Sequence, residues 1–323
     1  MNVFGDRFRV TIFGESHAAA VGVVIDGVKA GMALAEEDFT PDLDRRRSGA
    51  RGTTPRHEKD RPRFLTGLFD GHTTGAPLTI VFDNENVLSG DYRNLVDQPR
   101  PSHSDFVARE KWHGANDPRG GGYFSGRLTV ALVAAGVVAK KMIPDINISA
   151  SLIAVGGQSD ATLWGAMVEQ ALSAHDSLGG MIECHIDGVP IGVGEPFFGS
   201  LESRLAAAIF SVPATRGIEF GTGFAAAAMH GSQHNDPIID RQGHTATNNA
   251  GGIVGGISNG NQIVFRVAIK PTSSIASPQM TYNFATDRVE PLVIKGRHDA
   301  CIALRASVVI EAAAAIVLAD FCS

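Results

Sequence analysis

Val24-Ile25-Asp26-Gly27-Val28-Lys29-Ala30-Gly31 is echoed downstream by His185-Ile186-Asp187-Gly188-Val189-Pro190-Ile191-Gly192. Each copy leaves an apolar, strand-like stretch through Asp-Gly, enters a Gly-bounded turn and heads toward a helix-like segment. The pairing hints at two related halves. A chance match is as good a reading in a chain rich in Ile, Val and Gly, so no domain boundary is drawn from it.

Around these two stretches, strand-like and helix-like segments alternate. Phe8 to Phe13 and Val21 to Val28 read as strands, and Thr40-Pro41 as the N-cap and first position of a helix carrying Asp44 and Arg45 to Arg47. Ser125 is placed to cap a long helix from Gly126 to about Met142, whose small residues imply close packing. Ile146 to Val155, Met181 to Val189 and Gln262 to Ile269 are strand-like, while Ala161 to His175 and Leu201 to Val212 are helical in pattern. The most apolar stretch, Ala306 to Ala319, is interrupted by Glu311 and is too short to span a bilayer; it reads as a buried helix, with no membrane role.

The 323 residues, 44% hydrophobic and 19% charged, suffice for a large core. Glycine makes up 37 of them, above the usual share of about 7%, so many positions need positive φ or close backbone approach. Aromatic content of 7% argues against a stacking platform for nucleic acid. Cys184, Cys301 and Cys322 form no CxxC pair, which points to no disulfide framework, no thiolate metal site and a reducing cytoplasm. The first nine residues carry Asp6, Arg7 and Arg9 and no apolar signal-peptide core. Net charge is -6, yet Arg45, Arg46, Arg47, Arg51, Arg56, Arg61, Arg63 and Lys59 stand against only Glu58 and Asp60. A positive focus on an acidic protein suits a small polyanion, whose carboxylates and phosphates the planar guanidinium grips at two points; duplex binding needs a broad basic face.

Three loops place titratable groups among glycines, serines and arginines: Gly14-Glu15-Ser16-His17, Arg100-Pro101-Ser102-His103-Ser104-Asp105, and Gly296-Arg297-His298-Asp299. The first follows a strand end, where α/β proteins commonly keep their chemistry, and points to an enzyme. Asp117-Pro118-Arg119-Gly120-Gly121-Gly122-Tyr123-Phe124-Ser125-Gly126-Arg127 runs a glycine-rich loop into a helix, an anion or cofactor cradle that is neither a Walker A loop nor GxGxxG. Asn248 to Ile257 and Lys270-Pro271-Thr272-Ser273-Ser274 add amides, hydroxyls and one ammonium, although either alone reads better as a hairpin turn.

Taken together these motifs resemble the chorismate synthase family. The resemblance runs in order through FGESH at 13–17, DRRRSGARGTTPRHEKD at 44–60, TTGAP at 73–77, RPSHSD at 100–105, DPRGGGYFSGR at 117–127 and SVPATRGIEFG at 211–221. It continues through GSQHND at 231–236, NNAGGIVGGISNG at 248–260, KPTSSI at 270–275 and GRHDACIALRA at 296–306. It implies one catalytic domain over residues 1–323, an α+β fold built as a β-α-β sandwich around one core, and assembly as a homotetramer. The implied reaction converts 5-enolpyruvylshikimate 3-phosphate to chorismate and phosphate by anti-1,4-elimination. It needs reduced FMN despite having no net redox change, with NADPH as a candidate reductant.

Position by position, the resemblance makes His17 and His103 the groups that deliver protons to the flavin and the departing phosphate, and Asp299 the base. Arg46 and Arg51 match contacts to nicotinamide-dinucleotide phosphate or a substrate anion, and Arg45, Arg127 and Arg305 match substrate partners. FMN contacts map to Tyr123, Phe124, Ser125, Ala214, Gly255, Lys270, Pro271, Thr272, Ser273, Ser274 and Arg297. The chain departs from the family where Tyr123-Phe124-Ser125 replaces a common Arg-Ser-Ser, Ser48 a proline and Ser104 an alanine. One residue is missing before Thr53-Thr54, and the region from Gly157 to Ala161 lacks an insertion. A repurposed flavin binder, a plain NADPH:flavin reductase and a nucleic-acid module are the competing readings. His17, His103 and Asp299 oppose the first, and the lack of a dinucleotide-binding strand-turn-helix opposes the second.

Overall fold

Two antiparallel sheets enclose a layer of apolar helices. The computed structural model describes residues 2–54, 56, 58–86, 95–294 and 298–322. Its first half runs β1 (Val3–Phe4), β2 (Arg9–Gly14), β3 (Ala20–Asp26), α1 (Thr40–Arg46), β4 (Arg63–Thr66), a small hairpin of β5 (Leu68–Phe69) and β6 (His72–Thr73), and β7 (Leu78–Asp83). It ends in α2 (Asp105–Lys111) and the long α3 (Thr129–Met142). The second half runs β8 (Asn147–Val155), α4 (Ala161–Ser173), β9 (Gly180–Asp187), α5 (Leu201–Ile209), β10 (Thr215–Phe220) and α6 (Gly231–His234). A hairpin of β11 (Ile253–Val254) and β12 (Ile257–Ser258) follows, then β13 (Ile263–Ile269), a second hairpin of β14 (Gln279–Asn283) and β15 (Arg288–Leu292), and α7 (Ser307–Cys322).

The sheets have the orders β1-β2-β3-β7-β4 and β10-β13-β9-β8. Matching β8, β9, β10 and β13 to β2, β3, β4 and β7 gives the same order, with α5 standing for α1, one two-residue hairpin for the other, and α7 for α3. The repeated Asp-Gly marks the same point in each half. β3 ends at Asp26 and β9 at Asp187, and Gly27 and Gly188 both turn the chain at φ 82°. A Cβ there would stand 1.8 Å from the Arg7 carbonyl oxygen or 2.3 Å from that of Asp145, so only glycine fits. The echo is therefore a repeat of topology.

Burial follows the two periodicities. Along β13 every second residue is buried, and Ile182, Cys184 and Ile186 turn β9 inward while Glu183 and Asp187 face out. α3 and α7 are apolar nearly all round because both lie in the middle layer. They touch where Gly136 meets Ala312: a Cβ on Gly136 would sit 2.4 Å from the Ala312 methyl. One continuous hydrophobic cluster joins both sheets to these helices, which is the expected β-α-β sandwich. Among the described residues, Arg119–Met142 is the helical run long and apolar enough to cross a membrane, and 72% of its apolar window is buried inside the protein.

Glu311, which breaks the apolar run of α7, is itself buried. Its carboxylate accepts from Arg45 at 2.7 and 2.8 Å, from Lys140 Nζ at 3.1 Å and from the Ala150 amide at 2.8 Å. Where the sequence marked an element its limits differ by a few residues, while α2, β4, β7, β10, β14 and β15 carried no mark in that reading. Phe39, not Thr40, occupies the N-cap of α1, because Pro41 fits anywhere in the first turn. Ser125 caps as expected, its Oγ accepting from the Arg127 amide at 3.3 Å, but what it opens is a 3-10 turn over Gly126–Leu128 that leads into α3.

Candidate active site

The glycine run Gly120-Gly121-Gly122 takes φ of 60°, 82° and 53°, a left-handed stretch that side chains with a Cβ rarely enter. Two histidines lie over consecutive members of it. A Cβ on Gly120 would fall 2.6 Å from His17 Nε2, and one on Gly121 would fall 3.7 Å from His103 Nε2. The loop after β2 is held to this turn by the Ser16 amide, which donates to the Gly122 carbonyl at 3.1 Å. His17 and Ser16 are consequently buried, at 8% and 0% exposure. His103 Nδ1 lies 2.7 Å from Asp105 Oδ1, and Asp105 is in turn gripped by Arg100. Burial, with Arg100 and Lys270 nearby, pulls the His103 pKa below its ordinary value in spite of that carboxylate.

Beside the turn opens a cavity of about 630 Å³, within the range typical of small-molecule sites. Its floor is built on Asp60, a buried carboxylate at φ 51°. Asp60 accepts from Arg46 Nη2 at 2.6 Å and is in short contact with Arg127 Nη1, and these two cations hold its pKa down against burial. Arg127 also donates to Asn84 Oδ1 at 2.9 Å and to the Asp83 carbonyl at 3.2 Å. Arg46 donates to Thr129 Oγ1 at 3.2 Å, yet its buried Nε has no partner among the described residues. Full burial, with Arg305 and Arg127 close by, pushes the Arg46 pKa down to about 10, so it stays cationic at neutral pH.

The opposite wall comes from the second half of the chain. Ala214 sits at φ 73°, a strained position for a residue with a Cβ, and its carbonyl accepts from the Lys270 amide at 2.9 Å. Thr215 and Thr272 bring buried hydroxyls with no partner among the described residues. Lys270 reaches Ser273 Oγ in a short contact, and desolvation lowers its pKa. Asp299 accepts from the Thr54 amide at 3.0 Å and from Arg305 at two points. In all, eight cationic side chains line the cavity against Glu58, Asp60 and Asp299.

Of the residues singled out in the sequence, Arg46, His103, Tyr123, Phe124, Ser125, Arg127, Ala214, Lys270, Thr272, Ser273, Ser274, Asp299 and Arg305 meet on this cavity. His17 stands behind Gly120, and Pro271 only links two lining residues. Three others are placed elsewhere. Arg45 points away because α1 turns its side chain to Glu311. Arg51 lies on the exterior, 79% exposed, clamped to Glu169 of α4. Gly255 is in the turn between β11 and β12. Arg297 is outside the described residues.

Sequence reasoning assigned no role to Arg56, which donates to Ser16 Oγ at 3.0 Å, to Arg100 and Asp105, or to Asp60 and Glu58. The signal was there in part. The only two acids within the basic run are the ones that organise it.

The family model described as chorismate synthase matches residues 8–322. A chorismate synthase of Chitinophaga pinensis is 59% identical over 322 residues, covering 99% of this chain and 96% of the relative. One from Dehalococcoides mccartyi is 44% identical over 348 residues, with the same shares covered. A crystal structure of chorismate synthase superposes with a TM-score of 0.76 at 26% identity, over 98% of this chain and 92% of that one. With its sandwich, its cation-lined cavity and its sequence all in agreement, the chain belongs to the chorismate synthase family.

Proposed function

We infer that this cavity converts 5-enolpyruvylshikimate 3-phosphate to chorismate and phosphate, making the chain a lyase of the shikimate pathway that serves aromatic amino acid biosynthesis. The observation that carries the reading is the imbalance of eight cations over three carboxylates in one cavity. A substrate with two carboxylates and a phosphate needs several guanidinium groups in one cleft.

Arg46, Arg127 and Arg305 are the groups placed to neutralise the substrate, and the unpartnered Nε of Arg46 is a donor waiting for an acceptor. The proton for the leaving phosphate is assigned to His103, which lines the cavity, while a proton-delivering role for His17, which does not, rests on the resemblance alone. Asp299 becomes a proton acceptor on releasing one of its two contacts with Arg305.

The residues present fit FMN. Lys270, Ser273 and Ser274 bring one ammonium and two hydroxyls, and Thr215 and Thr272 offer buried hydroxyls with no partner among the described residues. These groups, with Tyr123, Phe124, Ser125 and Ala214, would hold it. What reduced FMN supplies when bound is transient electron density while phosphate departs, which no side chain here provides.

NADPH as the reductant rests on the resemblance at Arg46 and Arg51, of which only Arg46 reaches the cavity. A homotetramer is supported by the exposed Phe197, Phe198, Ile191 and Ile238, and a reducing cytoplasm by three unpaired cysteines. Light scattering on the purified protein tests the assembly. The activity is tested by anaerobic incubation with 5-enolpyruvylshikimate 3-phosphate and chemically reduced FMN, followed by aerobic incubation with NADPH and oxidised FMN. Chorismate and phosphate in both establish a lyase that reduces its own flavin. Product in the first alone makes the reductant external, and product in neither removes the assignment.

A further inference from the structure

Asp105 faces two partners. Its carboxylate accepts from Arg100 Nε and Nη2, each at 2.7 Å, and from the Arg100 amide at 3.2 Å. Its Oδ1 also lies 2.7 Å from His103 Nδ1. Arg100 is buried and donates from Nη1 to Ser274 Oγ at 2.9 Å, so the loop is tied to the far wall of the cavity. Ser102, just before the histidine, is held at φ 54°, a backbone state that persists only where its surroundings enforce it. The Arg100 fork keeps Asp105 ionised far below the ordinary carboxylate range. An ionised carboxylate can only accept, so Nδ1 must carry the hydrogen. The other ring edge, Cε1 and Nε2, lies over Gly121, and His103 itself lines the cavity.

We propose that Asp105 is a positioning residue that fixes the His103 imidazole as its Nδ1–H form. Nε2 is thereby the atom that takes a proton from solvent when an anion enters the cavity and passes it to an oxygen of that anion. The proposal rests on the cavity being the chorismate-forming site. Among the protein's own groups, burial, Arg100 and Lys270 outweigh the pull of Asp105 and hold the His103 pKa below its ordinary value. A phosphate-bearing ligand adds a negative charge opposite Nε2 and reverses that balance. Arrival of the anion and charging of the acid thus become one event.

The test is two-bond ¹H–¹⁵N NMR on full-length protein labelled at histidine nitrogen, with His103 identified by the signal missing in His103→Gln and with inorganic phosphate as the probe. The expected result is an Nδ1–H ring titrating below the ordinary value of about 6.5, with proton affinity raised at least tenfold by saturating phosphate. Asp105→Asn should move the ring to the Nε2–H form, shift the acidic limb of the kcat profile, and lower kcat more than tenfold with KM changed less than threefold. Ser274→Ala, which loosens Arg100 but leaves the Asp105–His103 pair, should keep the wild-type tautomer. An Nε2–H ring in the wild type, phosphate leaving the titration unmoved, or an Asp105→Asn variant with the wild-type pH profile would each overturn the proposal. Full turnover in His103→Gln would overturn it by a different route, by removing the histidine from the chemistry. The two failures are separable because the NMR measurement requires no turnover.

Discussion

Asp299 and Arg305 face each other as a two-point ion pair on the cavity wall, Nε to Oδ1 and Nη2 to Oδ2 each at 2.9 Å. The residue matched to the family base and a residue matched to substrate binding are therefore each other's partner in the ligand-free protein, and an incoming anion competes with Asp299 for the guanidinium. Asp299→Asn should split the two functions. Turnover falls by roughly 10²-fold, the scale of a lost general base, while phosphate binds several-fold tighter because Arg305 is released. Calorimetric titration with phosphate beside steady-state rates checks this, and weaker phosphate binding would refute the competition.

Asp60 stands between Arg46 and Arg127, and all three are buried. Asp60→Asn leaves two guanidinium groups facing each other with one charge too few, and the expected loss of stability is about 3–5 kcal/mol. Urea unfolding measures it, and a loss below about 1 kcal/mol would show that water reaches the pair. The same carboxylate predicts an acid limb. Asp60, Glu311 and Asp320 have native pKa values below their ordinary ones. Their contribution is complete above the unfolded carboxylate range of about 4 and is lost as pH falls through the lower native values. Melting temperature should thus be level from about pH 7 to 5 and fall steeply below about 4, less steeply in Asp60→Asn.

Gly120→Ala puts a methyl group 2.6 Å from the His17 ring at a φ of 60°. We expect turnover to drop more than tenfold with the fold retained, since the collision falls on the ring edge. Gly121→Ala meets its nearest atom, His103 Cε1, only at 3.5 Å and carries just the backbone strain. Equal rates in the two variants would remove the close approach of His17 as the cause.

Arg45 supplies one of the two cations that neutralise Glu311. Arg45→Ala should lower the melting temperature and leave KM within threefold, whereas Arg127→Ala should raise KM more than tenfold. A KM effect at Arg45 would return it to the substrate.

The strands β2, β3, β8, β9 and β13, the long helices and the glycine turn were readable because each is a local signal, whereas β4, β7 and β10 went unmarked. Alternation along β13, apolarity all round α7 and the triple glycine survive any arrangement of the rest. What the sequence could not show is which of two neighbouring arginines faces the cavity. Arg45 and Arg46 are adjacent on α1, about 100° apart around its axis, and the buried Glu311, 266 residues away, draws Arg45 away from the cavity. Arg51 is lost to Glu169 in the same way, across 118 residues. Asp60 read as a minor counter-charge because its two partners meet only when α1 and the turn before α3 come together.

The contact between Gly136 and Ala312 works as a shim between the halves. Arg46 and Arg127 come to the cavity from the first half of the chain and Thr215, Lys270 and Arg305 from the second, and Arg305 Nη1 donates to the Arg46 carbonyl at 3.3 Å. A methyl group at Gly136, a position that lines no part of the cavity, would collide with Ala312 and force α3 and α7 apart. A substitution in the middle of the helix layer would thus be felt by both halves of the chain while every cavity-lining side chain stays the same.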